Sequence, residues 1–569
     1  MSDEYDVLVI GSGFGGSVTA LRLTEKGYRV GVLEAGRRFA DEQFAKTSWR
    51  LRDYIYAPAL GCYGILRLTL LKDVMIMSGA GVGGGSLGYA CTLYEPPDTF
   101  YGDRQWSGIT DWKAELAPYY EQAKRMLGVT VNPVGTASDD ALRAVAEDLG
   151  VGATFRRTPV GVLFGETLGE EVADPFFGGA GPARRACTLC GSCMTGCRTN
   201  AKNSLVKNYL YLAEQAGAVV HELTTVRSVR PGESGGYVVE TRRTGGLKKR
   251  TFTAKQVVFA GGALGTQRLL HRMRDDGLLP RISARLGELS RTNSESILGA
   301  RTRRKDSDFS HGVAITSSIH PDPVTHVEPV RYGPGSNLLA LLATVLVDDT
   351  GRTPRWWAAA KQIAKAGRDL RLYVSPKNWS RETIVLLAMQ PLDNSITTYT
   401  KRGRLTSKPG IGTPNPVWVP SAHDVARRVA EKIDGVPTGA MTELVGRPVT
   451  GHFIGGCAIG ADPDGGVVDP YQRLFGHDGL HVIDGSVVAA NLGVNPSLTI
   501  TALAERAVAL WPNAGEEDPR PAIGAAYIAI NPVKPLKPAV PEHAPAALRL
   551  IPITTRESRT TSEIRDGRS

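Results

Sequence analysis

The first residues able to do chemistry are Gly11-x-Gly13-x-x-Gly16, set between an apolar run at 5–10 and an amphipathic stretch at 17–26. Glu34 closes the next apolar run, 29–33. A lone glycine motif says little, but between a strand and a helix, with an acid ending the second strand, it marks a dinucleotide site. Gly11 permits the tight turn, Gly13 lets backbone approach a pyrophosphate, and Gly16 lets helix and strand pack closely. Amides at the positive end of the helix then hold the phosphates. A carboxylate at Glu34 accepts hydrogen bonds from a ribose diol and repels a 2′-phosphate, which favours FAD or NAD over NADP. A second group is Cys187, Cys190, Cys193 and Cys197, spaced C-x2-C-x2-C-x3-C. Thiolates at that spacing can surround an iron–sulfur cluster or a zinc ion. Arg198 rather than proline follows the fourth, and a set of buried or redox-labile thiols is the third reading.

Positioning these groups needs further elements. Residues 78–86 form a second flexible glycine loop. Residues 257–266 read as a buried strand ending in a glycine turn, then a helix carrying Leu269 and Leu270. Residues 480–484 read as a strand with a terminal acid, Asp484, and 497–510 repeat apolar residues at helical spacing. Between about 300 and 445, strand-like runs (312–319, 381–389, 395–399) alternate with polar turns, with one helical stretch at 422–433; this reads as an antiparallel sheet domain. Residues 515–569 are rich in proline, alanine and charge, and read as an extended tail that wraps the surface or is disordered.

The 569 residues suffice for two or three cores, and 42% hydrophobic with 22% charged content describes a soluble globular protein. A net charge of +10 would suit anionic partners, but Lys248-Lys-Arg250 and 301–305 are short and lack interleaved aromatics. A solvated basic surface is the better reading, and no nucleic-acid role follows. The acidic N-terminus and the lack of an 18-residue apolar stretch argue against a signal peptide or a membrane span. Cysteine usage suits a reducing cytosol. The expected location is therefore the cytoplasm, with peripheral membrane contact left open and the oligomeric state unassigned.

Three blocks in order carry a family resemblance: Gly79-Ala-Gly-Val-Gly-Gly-Gly-Ser-Leu87, His452-Phe-Ile-Gly-Gly-Cys457, and Asp484-Gly-Ser through Gly493-Val-Asn-Pro-Ser to Glu505. From about 5 to 512 the chain resembles the glucose–methanol–choline (GMC) oxidoreductases, and among them the bacterial non-covalent FAD cholesterol oxidases. The resemblance implies an α/β fold: a Rossmann-type FAD-binding domain assembled from 1–110, 198–300 and 446–514, and a substrate domain with a mainly antiparallel sheet from 111–197 and 301–445. It also implies that Gly11, Gly13, Phe14, Gly15, Gly16 and Glu34 hold the ADP half of FAD. Gly79, Gly83, Gly84, Gly85 and Ser86 would lie along pyrophosphate and isoalloxazine, joined by Gly262, Asp484, Gly485, Asn495 and Pro496. The helix after Pro496 would point its N-terminus at the flavin, where negative charge develops.

On the same grounds His452 manages the hydroxyl proton while hydride leaves the carbinol carbon for flavin N5, with Asn495 as its polar partner. Glu328, in Thr325-His-Val-Glu328, matches the glutamate that moves a proton from C4 to C6 of a sterol; burial would raise its pKa as that task requires. The loop departs from the family pattern, reading Ser86-Leu-Gly-Tyr-Ala-Cys91 without the usual asparagine. The apolar segment 54–71 reads either as a lid facing membrane or as a core-packed loop. The expected reaction is oxidation of a 3β-hydroxysteroid, with oxygen or another acceptor taking the electrons and Δ5 to Δ4 isomerisation as an added step. The alternatives are a GMC dehydrogenase of another hydrophobic alcohol, sending electrons through an iron–sulfur centre, and a membrane-associated flavin protein with little catalysis.

Overall fold

The computed structural model describes residues 3–349, 351 and 353–552. The strand Glu4–Ile10 holds Val7, Leu8 and Val9 fully buried, because parallel sheets are covered on both faces. It pairs in parallel with Val30–Leu33 on one side and Lys249–Phe259 on the other. Val219–His221 extends this sheet beyond Val30–Leu33, and Leu480–Val482 adds a short parallel strand to Lys249–Phe259. Tyr237–Arg243 and Thr224–Pro231 continue it antiparallel. The first helix is Phe14–Glu25, so it starts inside the glycine loop, three residues before the expected 17.

That helix is buried on nearly every side, between the sheet and the helices Ser497–Ala509 and Tyr209–Gln215. Arg22 sits in the middle of the contact. Its guanidinium donates twice to Glu505 (2.8 and 2.9 Å) and once to Glu25 (2.9 Å), and Tyr209 Oη donates to Glu505 at 2.7 Å. The carboxylates hold the Arg22 pKa well above its usual value although burial opposes this.

The second sheet has seven strands, all antiparallel, in the order Ala343–Val345, Gly435–Ala440, Ser296–Thr302, Thr383–Met389, Thr325–Val330, Ser317–Asp322 and Arg156–Arg157. Alternation sorts its faces. Leu298, Ala300, Ile384 and Leu386 pack on the helices Ala137–Asp148 and Pro420–Lys432. Ile297, Val330, Val385 and Leu387 face the other way. Strand Ser296–Thr302 belongs to this sheet, so a domain boundary at 300 cuts through it. The expected strand 312–319 starts later, at Ser317, and 395–399 forms a separate hairpin, Ile396–Lys401 with Arg404–Pro409.

In the segment 54–71, Tyr54 and Ile65 are buried, Leu66–Leu70 pairs with Met75–Gly79, and the tip at Leu60 stands in solvent. Residues 515–552 form neither helix nor strand and lie along the nucleotide domain. Lys537 N donates to Glu25 O, Ala546 N to Phe176 O, and Val540, Ala544 and Ala546 are buried. The rest of the tail, 553–569, is outside the described residues.

Removing Glu505 with Glu505→Ala leaves a buried guanidinium with half its partners and should cost about 3–5 kcal/mol. Denaturant unfolding checks this; an unchanged midpoint would contradict it.

Candidate active site

One cavity of about 700 Å³ runs between the two sheets. At its nucleotide end Gly11 takes φ +107°, and a Cβ there would stand 2.3 Å from Ala260 O. A Cβ on Gly13 would meet nothing within 4 Å, so that backbone borders open space. Phe14, Gly15, Glu34, Gly79, Gly84, Gly85, Gly262, Asp484, Gly485, Asn495 and Pro496 line the same cavity. Gly16, Gly83 and Ser86 do not. Gly16 packs on Gly11 O, where a Cβ would come within 2.1 Å. Ser86 Oγ donates to Gly83 O (2.7 Å) and accepts from Leu205 N (3.0 Å), bracing the second loop from behind.

Glu34 does more than end a strand. Its Oε2 accepts from Ser12 N (3.1 Å) and Ser12 Oγ (2.7 Å), its Oε1 from Gly36 N (2.8 Å), and Ser12 Oγ accepts from Gly83 N. The acid thus ties the two glycine loops together. Asp484 accepts from Thr266 Oγ1 (2.5 Å) and from Ser486 N and Oγ, and burial raises its pKa. Arg67, Arg227, Arg268 and Arg272 also reach this end of the wall, which the sequence reading missed. Burial and the neighbouring charges of Arg67 and Arg272 push the Arg268 pKa down. Positive groups repelling one another across bare glycine backbone suit a pyrophosphate anion, so the residues present fit FAD.

At the other end His452 and Asn495 line the cavity beside Glu295, a third polar residue that the sequence reading did not single out. Glu295 is buried at the start of the antiparallel sheet. It accepts from Thr450 Oγ1 (2.7 Å) and Gly451 N (3.0 Å), and its Oε2 stands 3.2 Å from His452 Nδ1. Burial disfavours the imidazolium form, but the Glu295 carboxylate outweighs it and raises the His452 pKa.

Glu328 is fully buried and lies behind the wall rather than on it. Its Oε2 accepts from Asn495 Nδ2 at 3.3 Å, and Oε1 has no hydrogen-bond partner. Burial pushes its pKa up to about 8, against the lowering effects of Asn495 and His452. Asn495 Oδ1 is likewise buried without a partner. His326, 3.8 Å from Glu328 Oε1, is pushed down to about 3 by burial and brings no compensating charge.

Of the three readings of the four cysteines, the geometry fits the buried thiols best. Among the described residues no three Cys, His, Asp or Glu side chains converge to hold a metal ion. Cys197 Sγ pairs with Thr199 Oγ1, Cys187 Sγ accepts from Leu189 N, and Cys193 turns to Cys91, a thiol outside the motif. The Lys202 ammonium reaches in among Cys91, Cys193 and Cys197, held by the carbonyls of Leu87, Tyr89 and Cys193 at 2.8–2.9 Å. Hydrogen bonding from Cys91 and the Lys202 charge lower the Cys193 pKa, whereas burial raises those of Cys91 and Cys187.

A Rossmann-type sheet, paired glycine loops and a roofing antiparallel sheet around one cavity define a flavin-dependent oxidoreductase. Comparison with known proteins agrees. The FAD dependent oxidoreductase family matches residues 6–333, and the GMC oxidoreductase family matches 400–504. A cholesterol oxidase of Mycobacterium tuberculosis is 57% identical, covering 97% of this chain and 99% of that protein. A cholesterol oxidase of Acinetobacter baumannii is 44% identical, covering 90% and 94%. A solved pyridoxine 4-oxidase from Mesorbium loti shares the fold, with TM-score 0.57 and 16% identity over 88% of this chain and 98% of that one. The chain belongs to the GMC oxidoreductase family and is an FAD-dependent alcohol oxidoreductase.

Glu295→Gln should move the NMR titration midpoint of the His452 imidazole to lower pH, because a neutral amide no longer favours the protonated ring. An unmoved midpoint would mean that the carboxylate does not act on His452.

Proposed function

We infer that the chain oxidises the hydroxyl of a 3β-hydroxysteroid to the ketone, with oxygen receiving the electrons. The observation that carries this reading is the continuity of one cavity. From the glycine loops it opens onto apolar walls that include Ile297, Val330, Tyr332, Leu339, Trp379 and Leu387, with His452 and Asn495 among its polar groups. A large, rigid, apolar alcohol matches such a chamber. The two relatives named cholesterol oxidase, similar along nearly their whole length, support the same substrate class.

Bound FAD supplies a hydride acceptor and a path for the electron pair to oxygen. Gly11, Gly13, Phe14, Gly15, Gly79, Gly84, Gly85, Gly262, Asp484, Gly485 and Pro496 would hold it, with Glu34 toward a ribose. The N-terminus of the helix Ser497–Ala509 opens on the cavity through Asn495–Ser497, and its dipole favours negative charge there.

Glu295 Oε2, 3.2 Å from His452 Nδ1, favours a hydrogen on that nitrogen, which leaves Nε2 to take the hydroxyl proton. The buried Oδ1 of Asn495 has no partner of its own and is a second acceptor on the cavity wall. Glu328, with a pKa of about 8, can both take and return a proton near neutrality, as C4-to-C6 transfer in a sterol requires. Its hydrogen bond to Asn495 couples the two steps.

Oxygen uptake and ketone formation with cholesterol test the reading, and flavin-loaded protein inert toward sterols would refute it. His452→Ala should keep its flavin and lose about 10²–10⁴ in kcat. Glu328→Gln should still form ketone but release it unconjugated; a conjugated product would remove Glu328 from the scheme.

A further inference from the structure

The positive charge of this chain is not spread evenly. Between 351 and 377 there are seven Lys and Arg against one acid, Asp369, and Arg303 takes up that acid at 2.7 Å. Lys361, Lys365, Arg368, Arg371 and Lys377 are exposed and in no ion pair among the described residues. This corrects the sequence reading, which found no basic cluster with interleaved aromatics. The stretch forms the helices Arg355–Ala364 and Leu370–Val374, packed outside the strand Ala343–Val345. Buried Arg355 anchors the first helix by donating to Val347 O and Val417 O.

Beside that anchor, Trp356 and Trp357 stand 55% and 47% exposed, their rings 5.8 Å apart and edge to face. Val374, Leu370, Leu341 and Met441 are exposed on the neighbouring elements. A soluble surface seldom leaves so many large apolar groups in water together. The cavity lies just beneath. Leu339 and Leu342 line it while Leu341, in the same short turn Leu338–Leu342, points to solvent, and Ala440 lines it while Met441 does not.

Resting on the sterol reading above, we propose that this face is a docking surface for an anionic lipid bilayer, which sets the substrate cavity beneath membrane-dissolved sterol. Tryptophans are suited to the headgroup boundary, where an apolar ring meets a wet edge. Lysine and arginine stems cover apolar surface while their charges meet lipid phosphates. The charge complementarity selects an anionic bilayer over a neutral one.

Co-sedimentation of the full chain with sterol-free vesicles tests this without turnover. Wild-type protein should bind phosphatidylglycerol-containing vesicles at low salt and release at high salt, and should not bind pure phosphatidylcholine. Trp356→Ser/Trp357→Ser and Lys361→Glu/Lys365→Glu should each weaken vesicle binding by about tenfold or more. Both should still oxidise detergent-dispersed sterol at the wild-type rate, which also shows that they fold, while losing rate on vesicle-held sterol. Wild-type protein that ignores anionic vesicles, or variants that bind as wild type does, would overturn the proposal. So would gel filtration showing a dimer that the tryptophan variants dissolve, since the face would then belong to a second copy. Vesicle binding without oxidation of dispersed sterol would leave the docking surface standing and sink the substrate reading instead.

Discussion

Two buried carboxyl groups, Glu295 and Glu328, whose charges both act on one imidazole, set the terms for this site. In a cavity walled by aliphatic and aromatic side chains, two adjacent anions repel each other and neither is well solvated. The protein resolves this asymmetrically. Glu295 receives hydrogen bonds from Thr450 and Gly451 and the charge of His452, whereas Glu328 receives one long bond from Asn495. Burial therefore lets Glu328 keep its proton near neutrality. Asn495 is the link: one end of its amide is committed to Glu328, and the other is open toward the cavity.

The two sheets make that arrangement possible. The parallel sheet brings glycine loops close enough together that bare backbone borders the nucleotide end of the cavity, and the buried Arg22–Glu505 contact clamps the helices behind it. The antiparallel sheet contributes an apolar face on which Glu328 is the polar interruption, two residues from Val330 on the same side of the strand. Thr450 ends the short strand Val449–Thr450, which pairs with Met75–Gly79, and Gly451 and His452 follow it, so the histidine's position is tied to the second glycine loop.

What the sequence disclosed was local. Gly11, Gly13 and Glu34 announce themselves because a tight turn, a close approach and a strand-ending acid are read within about 25 residues of chain. The same holds for the helix Ser497–Ala509 and its entrance at Asn495. Glu295 was illegible, because an acid in Asn-Ser-Glu-Ser has no signature until the fold sets it against His452, 157 residues later in a chain of 569. The cysteines misled for the converse reason: their spacing is ligand-like, but a fifth thiol at Cys91 and the ammonium of Lys202 come from elsewhere in the chain and change the chemistry. That Ser296–Thr302 crosses the expected boundary at 300 into the antiparallel sheet was missed because short apolar runs do not reveal which sheet they join.

The account is tested most directly by infrared titration of the buried carboxyl at position 328, taking the difference between wild-type and Glu328→Gln protein. A protonated-acid carbonyl band should be present at neutral pH and disappear with a midpoint near 8. A group already ionised at pH 6 would contradict the account, since burial would then not be holding its proton.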